Sequence, residues 1–146
     1  MEMSKNLKNE GVKMKKIILV LMMVLSTSLF AESENNKFAS NVKELKESIN
    51  FPQKVDSYLY WLDLYLNDKG VLMYEYQIVK KLSQQQIEAF KKHINNNMLK
   101  DMCNDESIYD VILLKNQKEI NVVYRYEGKN LISLKLNKEI CKKYRK

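Results

Sequence analysis

Side chains that could act as a general acid or base are scarce in this sequence. His93 is the single histidine, and on a predicted helix it projects roughly 100° from the apolar stripe, so we expect its imidazole on the helix flank or in solvent. Four carboxylates cluster in the sequence and could in principle serve as acid and base: Asp101, Asp105, Glu106 and Asp110. They lie at predicted helix ends, where acids cap N-termini and mostly face water. We therefore expect no catalytic residue and no enzymatic activity.

Metal and nucleotide sites have equally little support. Cys103 and Cys141 are too far apart for a CxxC motif, and no cluster of cysteine and histidine suggests a zinc site. A phosphate-binding loop needs closely spaced glycines, and the whole chain has three. We expect no metal and no cofactor.

Aromatic side chains are the other group that could carry function, through binding. Residues 55–66 are crowded with them, and a predicted hairpin here would be aromatic on both faces. Tyrosine offers a large contact area at a small entropic cost, and one small domain cannot easily cover both faces. We therefore predict a contact surface on this hairpin at Tyr58, Tyr60, Trp61 and Tyr65. The tyrosines of the later strands are expected to wall the core: Tyr74, Tyr76, Tyr124 and Tyr126.

The N-terminal region has the layout of a secretory signal peptide that begins at Met14. Two lysines follow Met14, residues 17–25 are unbroken apolar sequence, and Ala31 is a small residue suited to a cleavage site. The apolar stretch is shorter than the about 20 residues of a transmembrane helix. We predict residues 14–31 as the leader, with cleavage after Ala31 or after Ser28. The alternative is an uncleaved N-terminal anchor, which would be the only expected membrane contact.

The residues on either side of the leader complete the predicted organisation of the chain. Residues 1–13 are polar and contain two acids, so we expect them to be an over-extended start. Residues 32–146 are then one domain, located in the periplasm.

Part of the positive charge of the chain lies in its first 31 residues. Residues 1–31 contain five lysines and two acids, so the formal net charge falls from +7 for the whole chain to roughly +4 for residues 32–146. The remaining cations are scattered, apart from the tail at residues 142–146, which we expect to be solvated. Because export separates the protein from most nucleic acid, we expect no nucleic-acid partner.

The two cysteines are expected to form one disulfide. In an oxidising compartment an even pair of cysteines is usually bridged. A bond between Cys103 and Cys141 would close a loop of about 38 residues and contribute roughly 3 to 4 kcal/mol on the chain-entropy model. That is a large share of the stability of a small domain.

The apolar pattern predicts the order of the helices and strands. A first amphipathic helix ends before Pro52, two strands follow around the hairpin sequence at residues 67–70, and a capping box from Ser83 to Gln86 begins a long helix. A short helix after Asp105, a second hairpin and a terminal helical turn come last. We therefore predict an α+β fold with a roughly four-stranded antiparallel sheet, made of the two hairpins and packed against the long helix.

The C-terminal third resembles a known group of proteins. Cys103, an acid at Asp105, an apolar run, the strand "VVYRYEG", an alternating strand and Cys141 occur in that order. The pattern is similar to that of small exported two-cysteine proteins of Gram-negative bacteria, which are mostly uncharacterised. The resemblance covers about 40 residues and implies a disulfide-bonded periplasmic domain, with no activity implied.

These observations favour a non-enzymatic periplasmic protein that binds another protein of the envelope. One alternative is a small inhibitor or immunity protein directed at a hydrolase or toxin. Another is a protein that binds a small apolar ligand between helix and sheet, next to Met98 and Met102.

Overall fold

The computed structural model describes residues 34–145 of the chain. The predicted start at Met14 and the predicted leader at residues 14–31 lie outside the described residues. Between residues 34 and 145, no helix combines the length and the apolar character needed to cross a membrane.

The centre of the fold is a five-stranded mixed sheet whose strands lie side by side in chain order. Its strands are β1 (Gln53–Lys54), β2 (Leu59–Leu66), β3 (Leu72–Ile78), β4 (Ile120–Tyr126) and β5 (Lys129–Leu136). Neighbouring strands are antiparallel except for β3 and β4, which are parallel. The predicted α+β class is confirmed, and the predicted four antiparallel strands are approximately right.

The sheet differs from the prediction in two respects. A two-residue strand, β1, pairs with Trp61 and Tyr60 of β2 and adds a fifth strand. The two hairpins meet in parallel because the helical connection between them returns the chain to the end of the sheet where β3 began. Such a crossover connects parallel strands, whereas a tight turn connects antiparallel ones.

The helices match the predicted elements closely. They are α1 (Glu34–Ser48), α2 (Gln84–His93), a first π-helical segment (Ile94–Met98), α3 (Leu99–Cys103), a second π-helical segment (Ser107–Lys115) and α4 (Lys138–Lys142). The capping box at the start of α2 is confirmed, with Gln86 N–H donating to Ser83 Oγ at 3.2 Å and Ser83 N–H donating to Gln86 Oε1 at 2.9 Å. The short helix predicted after Asp105 is the second π-helical segment, and Ile108 N–H donates to Asp105 Oδ1.

Both hairpin turns follow from their sequences. Gly70 closes the first turn with φ +75°, a conformation that side chains disfavour. The second turn is formed by Glu127 and Gly128, whose φ values are 50° and 77°. Two consecutive positive φ values give the turn type that matches the twist of the flanking strands.

One face of the sheet, the core face, packs against the helices. Its buried members are Leu59, Trp61, Leu64, Leu72, Tyr74, Tyr76, Ile78, Ile120, Val122, Tyr124, Leu134 and Leu136. They share one hydrophobic cluster with buried side chains of the helices, among them Phe38, Val42, Phe90, Ile94, Met98 and Met102. The ring of Phe90 meets that of Tyr124 edge-on, with centroids 5.2 Å apart. The core is therefore a single layer between the helices and this face.

The C-terminal end is fixed to the rest of the domain. Cys103 and Cys141 form a disulfide, as predicted, and both are fully buried. Arg145 stacks on the ring of Tyr109 at 3.8 Å from its centroid and donates to the carbonyl oxygen of Cys103 at 3.1 Å. Asn104 Nδ2 donates to the carbonyl oxygen of Tyr144. The tail to Arg145 is thus anchored, in contrast to the solvated terminus expected from its charge.

Candidate interaction surface

The sheet has a second face, the outer face, formed by alternate residues of β2, β3 and β4. Its members are Tyr60, Asp63, Tyr65, Met73, Glu75, Gln77, Asn121, Val123 and Arg125. Met73 and Val123 are buried but lie outside the core cluster. The other members are partly exposed and polar or aromatic. This face therefore has its own composition, separate from the core.

A bulge in β2 decides which side chains point to the outer face. Trp61 pairs with Tyr76 and Asp63 pairs with Glu75, so Leu62 is an additional residue without a partner on β3. Side chains alternate along a strand, and one additional residue reverses the alternation. Trp61 therefore points into the core, while Asp63 lies on the outer face. Trp61 Nε1 stabilises the bulge by donating to the carbonyl oxygen of Asp63 at 3.0 Å.

Glu75 is the centre of a polar network on the outer face. Its Oε1 accepts a hydrogen bond from Tyr65 Oη at 2.9 Å. The same oxygen forms an ion pair with Arg125 Nη2 at 3.2 Å. The Glu75 side chain is 17% exposed, against 39% for Arg125, so the pair is only partly screened by water. Hydrogen bonds to charged groups are stronger than neutral ones. The network joins β2, β3 and β4 across the middle of this face.

The end of α1 extends the network to the sheet edge. Lys46 Nζ lies 3.0 Å from Asp63 Oδ1 and 5.7 Å from the centroid of the Tyr65 ring. The carboxylates of Asp63 and Glu75 thus lie between the cations of Lys46 and Arg125. The face carries no net charge from these four groups, and it presents both donors and acceptors.

Electrostatics on this face affect the ionisation of Tyr65. Partial burial raises the pKa of its hydroxyl, and the hydrogen bond to Glu75 and the negative charges of Glu75 and Asp63 raise it further. Arg125 opposes this shift. Tyr65 therefore stays a neutral hydrogen-bond donor well into the alkaline range.

Two atoms of β4 on this face lack a partner. The Oδ1 of Asn121 and the Nε of Arg125 are buried without a hydrogen bond from any of residues 34–145. Asn121 and Arg125 lie on either side of Val123 on the same face. Buried polar atoms are usually satisfied by protein or by ordered water. The strand thus retains unused hydrogen-bonding capacity on either side of a buried apolar residue.

The structure divides the predicted contact residues between two environments. Tyr60 and Tyr65 are partly exposed on the outer face. Trp61 is 1% exposed, packed between Phe51 and Tyr76, and Tyr58 is 6% exposed. Tyr60 and Tyr65 are therefore available to a partner, whereas Trp61 and Tyr58 contribute to packing. Glu75 and Arg125 were not among the predicted contact residues, although the alternation of β3 already assigns Glu75 to this face.

Of the four later tyrosines predicted to wall the core, three are buried, and Tyr126 is partly buried against the core cluster. Tyr74, Tyr76 and Tyr124 are at most 1% exposed, and Tyr76 stacks on Tyr124 with centroids 5.4 Å apart. Burial raises the pKa of all three hydroxyls. The hydroxyls of Tyr74 and Tyr76 have no hydrogen-bond partner within residues 34–145. Met98 and Met102 belong to the same packed cluster.

Other kinds of site find no support in the described part of the chain. Residues 34–145 contain no group of three or more histidine, cysteine, aspartate or glutamate side chains that could hold a metal ion. The carboxylate of Asp105 is used as a helix cap.

Comparison with known proteins gives one structural relative. No protein-family model and no curated protein matches this chain. A crystal structure of a protein from Pseudomonas aeruginosa, described as secreted, is similar with a TM-score of 0.54. The two sequences are 8% identical, and the similarity covers 76% of this chain and 98% of that chain. At this identity the likeness shows a shared fold.

Proposed function

We propose that this is an exported, non-enzymatic protein that binds another protein of the bacterial envelope through the outer face of its sheet. The observation that carries the proposal is the combination on that face of partly exposed Tyr60 and Tyr65 with the Glu75–Arg125 pair. Tyrosine and arginine are enriched where protein interfaces are strongest. Buried Met73 and Val123 add apolar side chains to the same face.

Export is supported by two independent observations. Residues 14–31 have the layout of a signal peptide, and the structural relative from Pseudomonas aeruginosa is described as secreted. The buried disulfide fits an oxidising compartment. Intact mass of the protein from the envelope fraction, measured after alkylation with and without prior reduction, tests this part. A mass beginning at Glu32 or Leu29 with thiols that react only after reduction supports it, and a retained leader or freely reactive thiols contradicts it.

Binding through the outer face is tested by affinity capture with matched variants. Tyr60→Glu places an uncompensated charge on the outer face, and Gln85→Glu places the same charge on exposed surface of α2. Capture from envelope extract, read by mass spectrometry, should recover a partner with the wild type and with Gln85→Glu but not with Tyr60→Glu. Far-ultraviolet circular dichroism confirms that both variants are folded. Equal recovery by the two variants would contradict the proposed surface.

A further inference from the structure

The strand β5 is a long open edge of the sheet. It spans eight residues and pairs on one side only, with β4. Within residues 34–145, no backbone hydrogen bond from a turn or loop occupies the outward-facing backbone groups of β5. The opposite edge is β1, which has two residues. Short edge strands limit unwanted pairing, whereas a long edge is a template for a further strand.

The positive charge of the protein is concentrated in β5 and in the residues that follow it in the sequence. Residues 129–146 contain seven lysines and arginines and a single acid, Glu139. Residues 32–128 contain thirteen basic and fifteen acidic residues, so the rest of the exported chain is slightly acidic. The positive charge of the domain therefore belongs to β5, α4 and the tail.

Most of these cations point to solvent. Lys129, Lys135, Lys138 and Lys143 are exposed, and none of them forms an ion pair within the described part of the chain. Lys142 forms an ion pair with Glu139, and Arg145 stacks on the ring of Tyr109. Lys146 lies outside the described residues. Lys135 pairs in register with Asn121, which places it on the side of β5 that continues the outer face. The edge thus combines unused backbone groups with unneutralised positive charge.

The positive charge of β5 and the following residues determines which kind of segment can pair with the edge. Pairing of two copies through β5 would bring two strongly basic segments together, and like charges oppose such contact. An extended segment with acidic side chains would satisfy the same backbone groups and neutralise the lysines. We infer that β5 accepts an extended acidic segment of another protein as a sixth strand. The contact uses the edge of the sheet and stands independently of binding through the outer face.

The experiment uses the folded protein with its disulfide intact and a synthetic peptide. The peptide is as long as β5 and alternates valine with glutamate. Amide hydrogen exchange should show new protection within residues 129–136 when this peptide is added. A peptide with lysine in place of glutamate, and the acidic peptide with alternate backbone nitrogens methylated, should give no protection because the first repels the edge and the second cannot complete the ladder.

Matched variants separate the edge from general charge. Lys135→Glu should weaken binding of the acidic peptide about tenfold, a typical cost of replacing an attractive rim charge with a repulsive one. Lys92→Glu, which makes the same change on exposed surface of α2, should leave it unchanged. Tyr60→Glu should also leave it unchanged, so failure of the outer-face proposal and failure of this one are distinguishable.

Three results would overturn the inference. Absence of protection in residues 129–136 with the acidic peptide would show that the edge does not accept a strand. Equal binding of the methylated peptide would show attraction by charge alone. Concentration-dependent association of the protein by sedimentation velocity, with the same amides protected and no peptide present, would assign the edge to a second copy.

Discussion

Glu75 and Arg125, which are 50 residues apart in the sequence, meet on the outer face with Arg125 Nη2 3.2 Å from Glu75 Oε1. The parallel pairing of β3 and β4 makes this contact possible, because it places Glu75 directly beside Val123 and places Arg125 two pairs further along, on the same face. Tyr65 donates to the same carboxylate oxygen from the other side. The pairing of the two hairpins thus creates the central feature of the proposed surface.

Replacing Glu75 should change the ionisation of Tyr65. In Glu75→Gln the pKa of Tyr65 should fall towards 10.0, because the negative charge that raises it is lost while Arg125 remains. Burial should still hold it above that value. Titration of the protein with 13C-labelled tyrosine rings, followed by NMR, measures this pKa directly. Glu88→Gln on α2 is the control, and an unchanged pKa of Tyr65 in Glu75→Gln would contradict the network.

Two tyrosine hydroxyls should have opposite effects on stability. Tyr76→Phe should leave the free energy of unfolding unchanged or raise it by up to about 1 kcal/mol, because the buried hydroxyl of Tyr76 lacks a partner within residues 34–145. Tyr65→Phe should lower it by about 1 kcal/mol, because it removes the hydrogen bond to Glu75. Urea denaturation compares the two variants. A clear loss of stability in Tyr76→Phe would show that its hydroxyl is satisfied.

The helices and turns were largely predictable because each has a local signal, whereas the disulfide was predictable because the sequence has one pair of cysteines and the layout of an exported protein. The capping box at Ser83, the glycine in each turn and the apolar spacing of α1 all act within a few residues. The parallel pairing of β3 and β4 was not predictable in this way, since it depends on how the whole crossover packs on the core face. The relative direction of β3 and β4 was therefore the least predictable feature of the sheet.

The bulge in β2 determines which residues of this strand lie on the outer face. Counting alternation through residues 55–66 cannot reveal that Leu62 has no partner, because a bulge is a property of the pairing with β3. The reversal keeps Trp61 inside and brings Tyr65 beside Glu75. Of the predicted contact residues, Tyr60 and Tyr65 lie partly exposed on the outer face, and their charged neighbours became apparent only with the register.

Loss of the disulfide should destabilise the protein strongly. The sequence separation of Cys103 and Cys141 is 38 residues, and a loop of that size corresponds to roughly 3 to 4 kcal/mol. The bond also holds α4 and the anchored tail against the end of α3. Replacing both cysteines with alanine should lower the midpoint of thermal unfolding, measured by circular dichroism. A midpoint equal to that of the wild type would show that packing alone holds this end of the domain.

The protein should lose stability at alkaline pH because buried tyrosines must ionise on unfolding. Burial raises the pKa of Tyr58 to about 12, and it raises the pKa values of Tyr74, Tyr76 and Tyr124 as well. A group whose pKa is higher in the folded state contributes its full stabilisation below its unfolded value, here 10.0. The contribution of these tyrosines to the free energy of unfolding should therefore be constant up to about pH 10 and fall above it.

Urea denaturation at several pH values measures this dependence. The double variant Tyr74→Phe and Tyr76→Phe should show a shallower loss of stability above pH 10.0, because it removes two hydroxyls that ionise only on unfolding. Tyr60→Phe is a control on the partly exposed outer face. An identical slope for the double variant and the wild type would contradict the burial of these hydroxyls.

The most direct test of the account is site-specific photocross-linking in the native host. A photoreactive phenylalanine analogue replaces Tyr60 on the outer face in one strain and exposed Gln85 on α2 in another. We predict a discrete cross-linked species with the same envelope protein at residue 60, and none at residue 85. Cross-links at residue 85 alone, or the same products at both positions, would contradict binding through the outer face.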